Sequence, residues 1–352
     1  MEHMITNFCK AWIAALASLT YSYYISKIIK RGIIIRLISL FPIIALFTLL
    51  PLNLSSSPHL CGNIAFFLAW LANFKLLLFA FNKGPLSSSP ISLIQFISIA
   101  SLPIKTKQSK NNKAKVSFKS PLNYTLKFLL FAMLLRIYDY RSLLYHKLLL
   151  TIYCLHIYLG LELLLAMSAS IAHFLLKIEV EMPFDEPYLS MSLQEFWGRR
   201  WNLVVSSVLR SSVYDPVRLV LMPMIGKRWG SACARVATFM VSGLMHELIY
   251  FYWTRVEPTW EVSMFFVLHG VCTALEVLVI KKIELGEKRR VMNRVVSWVL
   301  TMGFVVGTSL LLFFPQVVRN KVDLRVIEEQ IIAFQFSTNN LLGSRTFTPH
   351  LL

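Results

Sequence analysis

The chain has 352 residues, 56% of them hydrophobic and only 15% charged, against roughly 25% charged in a soluble protein. Several apolar runs reach the ~20 residues that cross a ~30 Å hydrocarbon core, which excludes an ordinary soluble domain. Thirty-six Lys and Arg against 18 Asp and Glu give a net charge of +18. The cations fall mainly between apolar runs, as orientation signals do, so they argue against nucleic acid as a partner and for a basic face toward anionic head groups or phosphorylated substrates.

In chain order, spans are expected at about 8–26, 33–50, 60–81, 122–138, 148–176, 231–253, 260–280 and 294–314. The first reads as a retained helix and not a cleaved leader, because its basic cluster (Lys27, Lys30, Arg31) follows the apolar run. A ninth run, 91–104, is too short to span and ends in a proline, Pro103; it suits a re-entrant or interfacial segment. With eight crossings, the loops at 82–90, 105–119, 177–230 and 281–294 fall on the cytosolic side, and both termini on the other. The fold class is therefore an all-α polytopic membrane protein, with about eight transmembrane helices plus re-entrant or interfacial helices. One integral-membrane domain covers 1–352, with a basic cytosolic loop at 105–120 and a cytosolic or interfacial region at 177–230. Five scattered cysteines (Cys9, Cys61, Cys154, Cys233, Cys272) form neither a disulfide framework nor a zinc pattern, and read as small core residues.

The 177–230 region is unlike the rest, with acidic, proline and aromatic residues close together. Ser192-Leu-Gln-Glu195 has the form of a capping box before an apolar-periodic run. A helix from Ser192 would put Leu193, Phe196, Trp197, Trp201, Val204, Val205 and Val208 on one face. Glu195, Arg199, Asn202 and Ser206 would share another, with Glu195–Arg199 a favourable i,i+4 pair. Anchoring at head-group depth accounts for the tryptophans. It does not account for Asn202 or for the adjacent arginines, Arg199 and Arg200.

Ionisable residues inside spans are functional pointers, because each costs a few kcal/mol unless paired or wet. His246 and Glu247 lie well inside 231–253. Ser242, Gly243, His246, Ile249, Tyr250 and Trp253 share a face, and Gly243 permits close approach of another helix or a substrate. His246 either hydrogen-bonds a neighbouring helix or is a general base that takes a proton from an alcohol. Tyr250 stands where a zinc-protease H-E-x-x-H motif would need its second histidine, and no metal-ligand cluster is present. Two further stripes, His269–Thr273–Glu276 and Tyr158–Glu162, read as helix-to-helix hydrogen bonding. Their chemistry leaves enzyme and transporter both open, although the paired broken helices of a transporter are absent.

"PFDEPYLSMSLQEFWGRRWN" (183–202), "SGLMHELIYFY" (242–252) and "WLANFKLLLFAFNKGPL" (70–86) resemble the plant wax synthase family, a branch of the membrane-bound O-acyltransferases. The similarity runs through most of the chain and is lowest at 104–120. The resemblance implies an enzyme of the endoplasmic reticulum membrane that moves a fatty acyl group from acyl-CoA to a long-chain alcohol, giving a wax ester; a sterol acceptor is the alternative. In related sterol and diacylglycerol acyltransferases an aromatic-rich motif ending in asparagine precedes a catalytic histidine. Here Phe196–Asn202 takes that position with Gly-Arg-Arg-Trp in place of an Asp-Trp-Trp core, and the histidine corresponds to His246. The resemblance thus implies His246 and Asn202 as catalytic residues, with Arg199, Arg200, Trp197, Trp201, Glu247, Ser242 and Tyr250 toward substrate. It implies no bound metal or cofactor: acyl-CoA is a co-substrate. Expected partners are acyl-CoA, the alcohol or sterol, membrane lipids and, as an open question, a second copy of the chain.

Overall fold

The structure, a computed structural model, describes residues 2–29, 32–54, 56–87, 91–106, 120–174, 176–284 and 294–342. Among these, almost everything is helical. Six helices are long and apolar enough to cross a membrane: α2 (Ile33–Leu54), α3 (Pro58–Ala80), α6 (His146–Phe174), α7 (Leu203–Thr254), α8 (Glu261–Glu284) and α9 (Arg294–Arg319). The other two expected spans are also helices. Of these, α1 (Glu2–Ile28) has 27 residues but is interrupted by polar side chains. The second, α5 (Pro121–Ile137), has only 17 and carries Lys127 and Arg136. A last helix, α10 (Val322–Leu342), follows α9.

The 91–104 run folds as α4 (Leu93–Ser101), nine residues capped by a Ser92–Gln95 box. At 1.5 Å per residue that is ~14 Å, less than half the hydrocarbon thickness, as expected of a non-crossing segment. Its C-terminal end is held from inside the fold. Lys75 of α3, fully buried, donates from Nζ to the carbonyl oxygens of Ile99 and Leu102 at 2.7 Å each. These carbonyls sit at the negative end of a helix dipole, where an ammonium is favourable. Two short strands follow, β1 (Lys105–Thr106) and β2 (Val180–Glu181), paired antiparallel and tied by Lys105–Glu181 at 2.5 Å. The rest of the basic loop at 105–120, up to residue 119, and the core of the 281–294 loop lie outside the described residues.

One expected helix is not continuous. From Ser192 the chain makes a single turn (Leu193–Glu195), then a π-helical turn (Phe196–Arg200), and stops at Asn202. Asn202 has a left-handed backbone, φ 36°, and its Oδ1 accepts from the Val205 N–H at 3.2 Å, starting α7 afresh. The faces drawn for an unbroken helix over 192–208 therefore do not hold. The π turn is closed by Trp201 N–H donating to the Phe196 carbonyl at 2.8 Å. Its wider winding brings Arg200, not Arg199, round to Glu195, at 2.7 Å. The capping box is half formed: Ser192 Oγ accepts from Glu195 N–H, while the Glu195 carboxylate accepts from Met191 N–H.

Within α7 the chain breaks again at Gly226, whose φ 81°, ψ 160° belongs to a region open essentially to glycine alone. Beyond it the chain doubles back so tightly that a Cβ on Gly230 would meet Met222 N at 3.0 Å. Beyond the break the chain continues as one helix over 227–254. It packs against α8 through small residues on both sides. A Cβ on Gly243 would lie 3.0 Å from Ser263 Cα, and one on Gly270 would clash with Phe239 Cβ at 2.7 Å, which is how small residues let membrane helices approach. Not all cysteines are core residues: Cys61 is buried, but Cys9 and Cys233 are exposed on the helix surface.

Candidate active site

His246 projects from the 227–254 helix into a ring of aromatics from three other elements. Phe266 of α8 stacks on it with centroids 4.3 Å apart. Trp70 of α3 meets it edge-on at 5.1 Å, and Phe313 of α9 at 5.9 Å. Both Trp70 and Phe313 stand on π-helical turns, Ala65–Ala72 and Ser309–Phe313, a distortion frequent at functional sites. His246 Nδ1 lies 2.7 Å from the Ser242 carbonyl oxygen. A carbonyl can only accept, so Nδ1 carries the hydrogen and the neutral ring keeps its lone pair on Nε2. The tautomer required of a proton acceptor at Nε2 is thus set by the histidine's own helix.

The neighbouring residues hold this arrangement together. Tyr250 O–H donates to the Phe313 carbonyl at 2.8 Å, tying the 227–254 helix to the π turn that carries Phe313. Glu247 points away from His246; its Oε1 accepts from the Ser263 N–H at 3.2 Å near the start of α8, and it is 3% exposed. Ser242 is buried and contributes its carbonyl. The indole N–H of Trp70 is buried and has no acceptor among the described residues, an arrangement that ordinarily costs ~1–3 kcal/mol.

The Phe196–Asn202 segment is mounted on α8 by the stripe read in the sequence. Trp197 Nε1 donates to His269 Nδ1 at 3.0 Å, so His269 Nε2 carries the hydrogen and donates to Thr308 Oγ1 at 2.8 Å. Glu276 accepts from the Gln194 N–H at 2.8 Å. Trp201 stacks on Phe196, and Trp197 reaches Phe266, the ring that also covers His246. One phenylalanine therefore bridges the tryptophan of the motif to the histidine. Asn202 is 8% exposed; its Oδ1 is used as a helix cap, and its Nδ2 has no partner among the described residues.

The two arginines differ in their surroundings. Arg200 is committed internally: Nε donates to Glu195 and Nη1 to the carbonyls of Asp185 and Glu186. Partial burial would lift the Glu195 carboxyl, but the Met191 N–H and the Arg200 guanidinium outweigh it and hold that group below the ordinary carboxylate range. Arg199 is exposed, without a hydrogen-bond partner among the described residues.

Below the motif lies a cluster for which the sequence reading supplied only one side. Lys127 of α5 donates to Glu162 at 2.7 and 2.8 Å, to Tyr158 O–H at 3.2 Å and to Glu186 at 3.1 Å. Tyr158 and Glu162 thus have the interhelical bonds expected of them, and the same ammonium pins Glu186, which leads into the motif. The sequence reading also missed a basic cleft of about 460 Å³ between α7 and α8, lined by Tyr214, Arg218, Lys227, Arg228 and Arg235, with no acidic side chain. Arg210 and Arg235 flank the Tyr214 ring at 6.0 and 5.9 Å. The Gly226 reversal creates this cleft by setting Arg218 beside cations that follow the turn. The signal was available: four of the residues 210–235 are arginine and one is lysine.

Residues 180–268, which include both the motif and His246, match the membrane bound O-acyl transferase family. Similarity to known proteins runs the length of the chain. It is 46% identical over 350 residues to a long-chain-alcohol O-fatty-acyltransferase of Simmondsia chinensis, covering 97% of this chain and 98% of that protein. It is 43% identical to the probable long-chain-alcohol O-fatty-acyltransferase 9 of Arabidopsis thaliana (96% and 98% covered). Acyl-CoA–sterol O-acyltransferase 1 of Arabidopsis thaliana is 42% identical, with 92% and 94% covered. Identity at that level over nearly the whole of each chain, with a family match that spans both the motif and His246, makes this protein a multi-pass member of the membrane-bound O-acyltransferase family.

Proposed function

We propose that this protein transfers a fatty acyl group from acyl-CoA to a long-chain fatty alcohol, releasing a wax ester and CoA, in the endoplasmic reticulum membrane. The observation that carries the mechanism is the Nδ1–Ser242 bond, which leaves His246 Nε2 free to accept a proton inside an aromatic pocket. The thioester is already activated, so no acyl-enzyme is needed. The alcohol oxygen bonds to the thioester carbonyl carbon as its proton passes to Nε2, giving a tetrahedral oxyanion. Collapse breaks the C–S bond, and the proton on Nε2 goes to the departing thiolate. The Asn202 amide donates to the substrate carbonyl or orients the alcohol, in a site where one such donor is worth ~3 kcal/mol.

The CoA phosphates and adenosine lie in the cleft lined by Arg218, Lys227, Arg228 and Arg235, with exposed Arg199 as a further cation; arginine suits phosphate geometry. Arg200 acts by holding the motif in shape. Trp197 and Trp201 wall the acyl path, and Ser242, Glu247 and Tyr250 keep the histidine's helix in register. His246 lies eleven residues beyond Arg235, ~16 Å along the helix, about half the hydrocarbon thickness. That is the depth the pantetheine arm must reach.

A second reading, with a sterol as acceptor, is favoured by the similarity to a protein named as a sterol acyltransferase. Membranes containing the protein are supplied with labelled acyl-CoA together with fatty alcohols, sterols or diacylglycerol, and the ester is identified. Wax ester is expected, and His246→Ala is expected to abolish it at unchanged abundance. Steryl ester as the main product would move the acceptor to the second reading. Ester formation by His246→Ala would remove His246 as the base.

A further inference from the structure

We propose that Trp70 supplies a second hydrogen-bond donor to the reacting carbonyl: its indole N–H binds the thioester oxygen and the oxyanion that forms there. This rests on the acyl-transfer reading above. Three long sequence blocks mark the chain; two hold His246 and Asn202, and the third opens at Trp70 with no role yet assigned. The remainder of that block is accounted for by structure. Asn73 Nδ2 donates to the Ile44 carbonyl and to Thr48 Oγ1 at 3.1 Å each, and Lys75 caps α4. Trp70 is different. It is 2% exposed, its N–H has no acceptor among the described residues, and its ring is in edge contact with His246.

A buried donor left unpaired is rare, and a catalytic role is one of the few reasons for keeping one. A hydrocarbon aromatic would make a similar ring contact with Phe66, which packs on Trp70 at 5.7 Å, without burying an unpaired N–H. The π turn over Ala65–Ala72 carries Trp70, on a helix separate from both other blocks, to a ring-centroid distance of 5.1 Å from His246. A carbonyl attacked by an alcohol held on Nε2 must lie within ~3–3.5 Å of that alcohol's oxygen, beside an imidazole whose ring centroid is 5.1 Å from that of the indole. As the alcohol adds, the carbonyl π pair moves onto oxygen; the N–H bond to that oxygen strengthens with its charge and relaxes when the C–S bond breaks. Such a donor acts more on the transition state than on the ground state.

The test compares wild type with Trp70→Phe and with β-(3-benzothienyl)alanine at position 70, which keeps the bicyclic shape and replaces N–H by sulfur. Ester synthesis from acyl-CoA and fatty alcohol is measured in membranes, with abundance matched. Inhibition by S-(2-oxoalkyl)-CoA, which keeps a carbonyl, is compared with inhibition by S-alkyl-CoA, which has none. Expected is a fall in kcat of about 10²-fold with KM nearly unchanged, and loss of the wild type's preference for the ketone. If Trp70→Phe does not accumulate, the benzothienyl variant carries the same expectation. A kcat within twofold of wild type, or an intact ketone preference, in either variant that accumulates would overturn the assignment while leaving acyl transfer in place. Absence of ester from the wild type, or its persistence in His246→Ala, would instead remove the reading on which this one rests.

Discussion

Asn202 carries a left-handed backbone, caps α7 through Oδ1 and, among the described residues, keeps its amide nitrogen unpartnered. Few residues meet the first two demands, since aspartate and asparagine both tolerate positive φ and both cap helices. Only asparagine also donates. Asn202→Asp therefore separates structure from chemistry: near-normal accumulation and melting are expected, with ester turnover lowered by about 10²-fold. Asn202→Ala should lose about 1 kcal/mol of stability as well, read as a lower melting temperature in detergent. Unchanged turnover in Asn202→Asp would reduce the residue to a cap. His246 was legible in the sequence as an ionisable group where the membrane should be dry. Lys75 and Lys127 sent the same signal, and buried carbonyls and carboxylates answer it. Trp70 sent none, because an aromatic inside an apolar run looks like any other packing residue until its N–H is seen without a partner.

Elements here are shaped by departures from the α-helix. The π turns at Ala65–Ala72, Phe196–Arg200 and Ser309–Phe313 each present an aromatic of the site, and none follows from periodicity. The helical faces expected for 192–208 failed for that reason: the extra residue per turn exchanges Arg199 for Arg200 at Glu195. What fastens this irregular segment is the ammonium of Lys127, shared by Glu162 of α6 and Glu186 ahead of the motif. Breaking a buried pair leaves an uncompensated charge, typically a cost of 3–5 kcal/mol. Lys127→Met should lower the thermal stability by an amount of that order, and proteolysis should become faster near 183–202. Stability equal to wild type would show that the cluster does not hold the segment.

At the scale of the molecule, the Gly226 reversal places a basic cleft at one end of the 227–254 helix, with His246 toward the other end. On the proposed reading, the phosphate-binding Lys227, Arg228 and Arg235 share one helix with the proton acceptor. Losing a hydrogen bond to a charged group costs ~1.5–3 kcal/mol, so Arg235→Ala and Arg218→Ala should each raise KM for acyl-CoA about tenfold or more. The kcat should change less, and added salt should weaken wild type toward the variants. Steady-state kinetics at two ionic strengths measures this. An effect on kcat alone would move the phosphates elsewhere, with Arg199 the next cation to test.

The sequence by itself determined the membrane class, the places of the spanning helices, the non-crossing 91–104 segment and the two blocks that carry Asn202 and His246. Each of these depends on local composition: apolar length against bilayer thickness, charge beside it, or a polar group with no water. Only the tertiary structure decided which nitrogen of His246 carries the hydrogen, which arginine is already engaged, that Lys127 joins Glu162 to Glu186, that Trp70 packs on His246, and that the arginines line one cleft. Those properties depend on which acceptor or ring comes near across elements distant in the chain, and on π turns and a glycine reversal that shift every register after them.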